Sequence, residues 1–230
     1  MRVLLKLSGE ALSGDKGFGF SSSVVKEVAK EVKKLHDNGT QISVVIGGGN
    51  FWRGRTGTEI NRSKADQIGM MATIMNAIYV SDVFSSLGME TSIYTPFSVG
   101  AFTKLYSLDE VKKDLNDNKI VFFAGGTGHP YFSTDTGAAL RAIETESDMM
   151  LLAKAVDGVY DSDPKINPNA KKYETISLKE IVNKNLKVID MTASILCMEN
   201  KMPLKIFALN EKNGILNAVN EKLNGTTVTV

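Results

Sequence analysis

Three short, nearly unbroken apolar runs in this chain each end in glycine: VLLKLSG at 3–9, ISVVIGGG at 42–49 and KIVFFAGG at 119–126. Apolar, largely β-branched or aromatic runs without polar alternation describe strands covered on both faces, as in a parallel sheet between helical layers. Glycine after such a strand turns the chain and lets backbone N–H groups approach a ligand with no Cβ in the way. For one loop, a simple turn would explain the glycines. Three loops on one sheet edge point instead to a large polyanionic ligand, or to two ligands side by side.

The remaining pattern fits that frame. Ser21 to Ser23 cap a helix running to about Asn38, with Val25, Val28, Ala29, Val32 and Leu35 on one face. A polar segment at 53–64 precedes a long helix over 65–87, in which Met70, Met71, Met75 and Ile78 read as packing residues. Further strands are expected at 91–94, 149–153, 204–208 and 226–230, and helices at 108–116, 136–145, 177–183, 190–200 and 214–221. The segments 13–19 and 161–175 read as loops, the second as an excursion or lid holding Pro164 and Pro168. Strands alternating with helices argue an α/β domain with a mostly parallel sheet.

Composition closes off several function classes. The 27 basic and 26 acidic residues leave a net charge of +1, with no basic run interleaved with aromatics, so no nucleic-acid partner is expected. The Lys26 to Lys34 stretch alternates with glutamate and reads as a solvated helix face. The single cysteine, Cys197, reads as a core residue and excludes an intrachain disulfide; two histidines are too few for a histidine-rich zinc site. The N-terminal run is too short for a signal peptide or a membrane span, so a cytoplasmic protein with no membrane partner is expected.

Phosphate handling must be unconventional, because neither GxxxxGK[ST] nor an opening GxGxxG occurs. Lys6 interrupts an apolar strand just before a glycine turn, where an ammonium can meet transferring phosphate oxygens. Arg53 follows the second glycine turn and can reach the same phosphates, with Arg55 and Arg62 as further cations. Among the acids, Asp66, Asp135, Asp163 and Asp190 are the candidates. Asp135 and Asp190 stand beside predicted helix starts, where capping is the bland role. Residues 128–134, GHPYFST, mix hydroxyls and aromatics that could grip a planar base and its phosphate. His129 is not cast as a base, since a phosphate acceptor is already ionised.

Taken in order, the motifs KLSGEAL (6–12), GFG (17–19), VVIGGGNFWRG (44–54), ADQIGMMATIMNA (65–77), GTGHPYFSTDTGAALRA (126–142), KAVDGVYDSDP (154–164) and VIDMTA (188–193) resemble those of the bacterial-type UMP kinases of the amino-acid-kinase superfamily. The resemblance spans nearly the whole chain. It implies one α/β/α sandwich over 1–230, with the acceptor side mainly in 1–145 and the ATP side mainly in 146–230. It implies transfer of the γ-phosphoryl of Mg-ATP to UMP, with Mg²⁺ held through the nucleotide phosphates and no dedicated protein metal site. Lys6, Leu7, Ser8, Gly9, Gly49, Arg53, Lys154, Tyr160 and Asp163 would then meet ATP. Gly48, Asp66 and residues Thr127, Gly128, His129, Pro130, Tyr131, Phe132, Ser133 and Thr134 would surround UMP, Asp66 at the ribose. Lys6, Arg53, Asp135 and Asp190 would form the catalytic set. In it Asp190 orients the lysine and Asp135 supports the site and the metal. The resemblance further implies a homohexamer, with GTP as activator and UTP as inhibitor acting through Gly14, Asp15, Lys16, Gly17, Phe18 and Gly19.

The sequence departs from the family pattern at His129, where asparagine is frequent, at Met191, and before Asp157, where the chain is one residue shorter than in some relatives. Two rivals remain at this stage. One is a kinase of a small carboxylate or carbamate on the same fold, against which Asp66 and the Tyr131-Phe132 pair argue. The other is a non-catalytic sensor or storage protein, which would have no need to keep Lys6 and the acids.

Overall fold

The glycine-ended runs pair side by side, as their double-sided burial requires. The structure, a computed structural model, describes residues 1–52, 59–164, 166–220 and 222–230. In chain order the strands are β1 (Arg2–Leu7), β2 (Gln41–Ile46), β3 (Thr91–Thr95), β4 (Lys104–Leu105), β5 (Ile120–Phe123), β6 (Met149–Lys154), β7 (Val159–Tyr160), β8 (Lys172–Tyr173), β9 (Thr175–Ser177), β10 (Leu204–Ala208) and β11 (Gly225–Thr229). The helices are α1 (Gly9–Leu12), α2 (Ser22–Asp37), α3 (Arg62–Ser85), α4 (Leu108–Asn116), α5 (Thr134–Glu144), α6 (Leu178–Asn183), α7 (Met191–Glu199) and α8 (Gly214–Val219).

Nine strands form one sheet in the order β4-β3-β5-β2-β1-β6-β10-β11-β9, with β7 and β8 a separate pair. Within that sheet only β10 and β11 run antiparallel among the described pairs. The fold class is therefore the expected mostly parallel α/β sandwich. Alternate residues of each strand feed two apolar layers. Leu5, Leu7, Val44, Ile46 and Phe122 face the layer of α2, α3 and α8. Leu4, Val45, Val121, Phe123 and Leu152 face the layer of α5 and α7. Each fully buried leucine of β1 contributes roughly 1.5–3 kcal/mol, so the strand is anchored along its length and carries Lys6 on a rigid support.

The central strand β1 pairs with β2 on one side and β6 on the other, both parallel. The chain crosses outward in both directions from here, and ligands in open α/β sheets bind beyond the strand ends at such a point. The turns after β1, β2 and β5 and the last residue of β6, Lys154, all lie at this end.

Several expectations need correction. Helix α3 begins at Arg62, not 65, because Asn61 caps it by accepting from Ser63 N–H at 2.9 Å. Met70 is buried, but Met71, Met75 and Ile78 are 49%, 46% and 40% exposed and do not pack inside the chain. They form the stripe opposite Thr73, Ile74, Ala77 and Val80, which face the sheet. Although α3 is long and apolar enough to cross a bilayer by composition, half of its apolar window is buried within this fold. The segment 13–19 contains a short 3-10 turn at Gly14–Lys16, and α1 precedes it. The excursion at 161–175 contains β8, which pairs antiparallel with β7 just before it.

Candidate active site

The first turn after β1 packs against the turn after β2 so closely that only glycine fits at position 9. A Cβ there would stand 2.2 Å from the Gly47 carbonyl oxygen and 2.6 Å from Asn50 Oδ1. Gly47 N–H in turn donates to Leu7 O at 3.0 Å, and Ser8 N–H to Ala153 O at 3.0 Å. Strands β1, β2 and β6 are thus tied together where they end. Ser8 caps α1 through its Oγ. Leu7 is wholly buried in the core, so its side chain supports the end of β1 from behind.

Lys6 reaches Asp135 of α5, Nζ to Oδ1 at 2.7 Å. Lys154 reaches the other oxygen, Nζ to Oδ2 at 2.9 Å, and also donates to Val188 O. All three side chains are largely buried, at 10%, 13% and 16% exposure for Lys6, Asp135 and Lys154. Burial by itself would raise the pKa of Asp135, but the Lys6 and Lys154 ammonium groups outweigh it and hold the carboxyl well below the usual range. For Lys154, burial pushes the pKa down; Asp135 opposes this, Lys6 adds to it, and the net shift is downward. One carboxylate thus braces two lysines, and Asp190 supplies a second negative charge near Lys154, so an anion entering here meets two lysines already held in place.

The expected pairing of Lys6 with Asp190 is corrected: Asp135 holds the lysine. Asp190 caps α7 by accepting from Ala193 N–H at 2.9 Å. It also accepts from Ser133 Oγ and from Thr136 Oγ1, the latter at 3.0 Å. Ser133 in turn caps α5, accepting from Asp135 N–H at 3.1 Å and Thr136 N–H at 3.2 Å. Asp190 thereby fixes the helix start that presents Asp135. This link joins α5 to α7 across a space no sequence spacing reveals.

Two clefts meet at this cluster. One, of about 420 Å³, is lined by Lys6, Gly48, Asp66, Thr127, His129, Phe132 and Thr134 among others. The other, of about 300 Å³, is lined by Lys154 and by residues between Ile181 and Ser194. Ser133 and Asp135 line both. The first cleft thus gathers most of the expected acceptor residues. Asp66 lies on its wall, where both carboxylate oxygens accept from Arg62 Nε at 3.0 and 2.9 Å. Tyr131 N–H donates to Asp66 Oδ2 at 2.8 Å, with Tyr131 in the left-handed region at φ 74°. Tyr131 and Phe132 are exposed.

Other expected residues lie elsewhere. Tyr160 donates its hydroxyl to Asp157 Oδ1 at 2.8 Å on β7, and neither it nor Asp163 lines either cleft. Gly128, Pro130 and Tyr131 also fall outside the lining, although His129 and Phe132 belong to it. Arg53 lies outside the described residues. The 3-10 turn and Gly17 to Gly19 sit on the surface beside Asn50. Sequence reasoning missed Glu10, Trp52, Met70 and Thr73 in the first cleft and Ile181, Val182 and residues 185–189 in the second. Thr73 Oγ1 accepts from Gly125 N–H at 2.9 Å, a role that a mid-helix threonine does not advertise. The VIDMTA motif marked the second cleft, but only its aspartate was singled out.

Residues 1–208 match the model of the amino acid kinase family. The chain is 49% identical over 230 residues to a uridylate kinase of Limosilactobacillus reuteri, covering 99% of this chain and 96% of that one. It superposes on the crystal structure of UMP kinase from Ureaplasma parvum with a TM-score of 0.94 at 37% identity, covering 100% and 99% of the two chains. For UMP kinase from Bacillus anthracis the TM-score is 0.93 at 36% identity, with 99% and 95% covered.

Proposed function

The chain belongs to the amino acid kinase family, and from that premise we infer how its two clefts work. The chain transfers the γ-phosphoryl group of ATP to UMP, giving ADP and UDP. The observation that carries the placement of this reaction is the convergence of Lys6 and Lys154 on Asp135 where the clefts meet.

The acceptor oxygen belongs to a phosphate and is already ionised, so the reaction needs alignment and charge stabilisation more than a base. On our reading UMP occupies the cleft of Asp66 and residues 127–134, and the ATP phosphates enter from the cleft beside Lys154. The transferring group lies over Lys6, whose ammonium stabilises charge on the equatorial oxygens. Asp135 holds both ammonium groups in place, and Asp190 acts through Ser133 and Thr136 as a positioning residue. Backbone N–H groups of Gly9, Gly48 and Gly49 face the phosphates, Gly47 N–H being taken by Leu7 O, with Arg53 assigned to the same region. Asp66 exchanges its contact with Arg62 for the ribose hydroxyls. Tyr160 and Asp163 are assigned to the outer, adenosine end of ATP.

Mg²⁺ fits this site as a companion of the nucleotide. Phosphate oxygens are the hard ligands it prefers, and Asp135 is already engaged by two lysines. Among the described residues no group of three or more acidic, histidine or cysteine side chains gathers as a cage. Bound on ATP, the ion would neutralise charge on the donor phosphates.

The same reading extends to assembly and control. The exposed stripe of Met71, Met75 and Ile78 supports contact between copies of the chain, in keeping with a hexamer. GTP and UTP are assigned as effectors, with residues 14–19 as the responsive segment, and the cytoplasm as the place of action.

The test is ADP release from Mg-ATP with UMP, CMP, dUMP, AMP, carbamate, aspartate and acetylglutamate offered in parallel. Strong release with UMP supports the reading. Release only with carbamate or an amino acid overturns it.

A further inference from the structure

Behind the turn that follows β2, two asparagine side chains are buried to 1% and 0% exposure, Asn50 and Asn76. They form a reciprocal amide pair: Asn50 Nδ2 donates to Asn76 Oδ1 at 2.9 Å, and Asn76 Nδ2 donates to Asn50 Oδ1 at 2.8 Å. Each amide has one N–H left. That of Asn76 goes to Gly47 O at 2.7 Å, inside the turn. That of Asn50 goes to Gly19 O at 2.9 Å, on the surface segment, and Gly19 N–H returns to Asn50 O at 3.1 Å.

A second set of contacts follows the same route. The Phe18 ring meets Phe51 edge-on at 5.4 Å, Phe20 meets Phe51 at 5.3 Å, and Phe20 stacks on Tyr79 of α3 at 4.0 Å. Phe18 is itself 66% exposed. Every N–H of the amide pair is used, and leaving one buried donor unmade costs about 1–3 kcal/mol. Gly19 therefore cannot move away from Asn50 cheaply. Asn50 cannot follow it without disturbing Asn76, Gly47 and the contact of Gly9 with both Gly47 O and Asn50 Oδ1.

We propose that Asn50 and Asn76 are positioning residues that couple the surface segment 17–20 to the phosphate-facing turn 47–49, so that displacing Phe18 shifts that turn. Its kinetic readout rests on the phosphoryl-transfer reading; its structural readout does not.

The experiment is a double-mutant cycle of Phe18→Ala and Asn76→Ala, followed by UMP-dependent turnover and by amide hydrogen exchange at residues 47–52. Misplacing a positioned group costs rate more than binding. Phe18→Ala should lower kcat about threefold and Asn76→Ala about tenfold, with KM for both nucleotides nearly unchanged. Both should speed exchange at 47–52. The double variant should be no worse than Asn76→Ala alone, because the coupling is already cut. If Asn76→Ala does not fold, Asn50→Ser replaces it in the cycle, since it removes the link to Gly19 O. Additive effects on exchange, or unchanged exchange at 47–52 in Phe18→Ala, would overturn the proposal. If no turnover with UMP is seen in the wild type, the exchange cycle alone decides it.

Discussion

At the meeting of the clefts, Asp135 faces two ammonium groups, and all three side chains are largely buried. On the wall of the first cleft, Asp66 faces the guanidinium of Arg62, whose side chain is 40% exposed. The residue types are similar and the physics is opposite. A partly exposed pair within one helix is worth about 0.3–0.5 kcal/mol, so Asp66 can release Arg62 at little cost, as its proposed ribose role requires. Removing one partner of a buried pair costs about 3–5 kcal/mol, so Asp135 keeps its lysines throughout. A weak pair suits recognition, where one partner must yield to another. A strong buried cluster suits preorganised charge that must not rearrange during transfer.

That contrast can be broken from either side. The largest effect is expected from Lys6→Ala, which removes the cation proposed to meet the transferring group. It should lower kcat about a thousandfold, within the range seen when a transition-state cation is removed, while the melting temperature shows that the fold persists. Asp135→Asn should lower kcat by about a hundredfold through misplaced lysines. It should also destabilise the protein by about 3–5 kcal/mol at neutral pH, measured by denaturant unfolding. The sign with pH follows from the depressed pKa of Asp135. Its contribution is present above the ordinary value of 3.8 and is lost as pH falls toward the lower folded value. The gap between wild type and Asp135→Asn should therefore narrow at about pH 3.

On the recognition side, Asp66→Ala should raise KM for UMP about tenfold and leave kcat and KM for ATP near normal, the signature of lost uniform binding. A kcat loss as deep as that of Lys6→Ala would erase the distinction between the two regions. The smallest effect is expected from Phe132→Ala. Losing one aromatic face should raise KM for UMP about fivefold, at the lower end of base-stacking energies, with no change in melting temperature.

Much of this was legible in the chain. Continuous apolar runs located the central strands, and β10 and α4 have the bounds their patterns predict. Glycine placement located the sheet edge where the two clefts open, because close backbone approach at Gly9 leaves a trace in residue type. Lys6 stood out because an apolar strand has no other reason to carry it. Partnership was the part that stayed hidden. Asp135 and Asp190 both stand at helix starts, and only tertiary packing decides which one meets Lys6. Strands of two residues, such as β4 and β7, are too short to show a period. The exposed methionines of α3 resemble core residues in composition, and only the direction of the helix face separates them. Asn50 and Asn76 lay inside recognised motifs, yet a buried amide pair across 26 positions has no local signature.

The most direct test of the whole account follows the label from γ-phosphate-labelled Mg-ATP in a single turnover, with UMP bound and protein in excess. The account predicts label in the new terminal phosphate of UDP, formed rapidly by the wild type and about a thousandfold more slowly by Lys6→Ala. Label released only as inorganic phosphate, or equal transfer by Lys6→Ala, would contradict it.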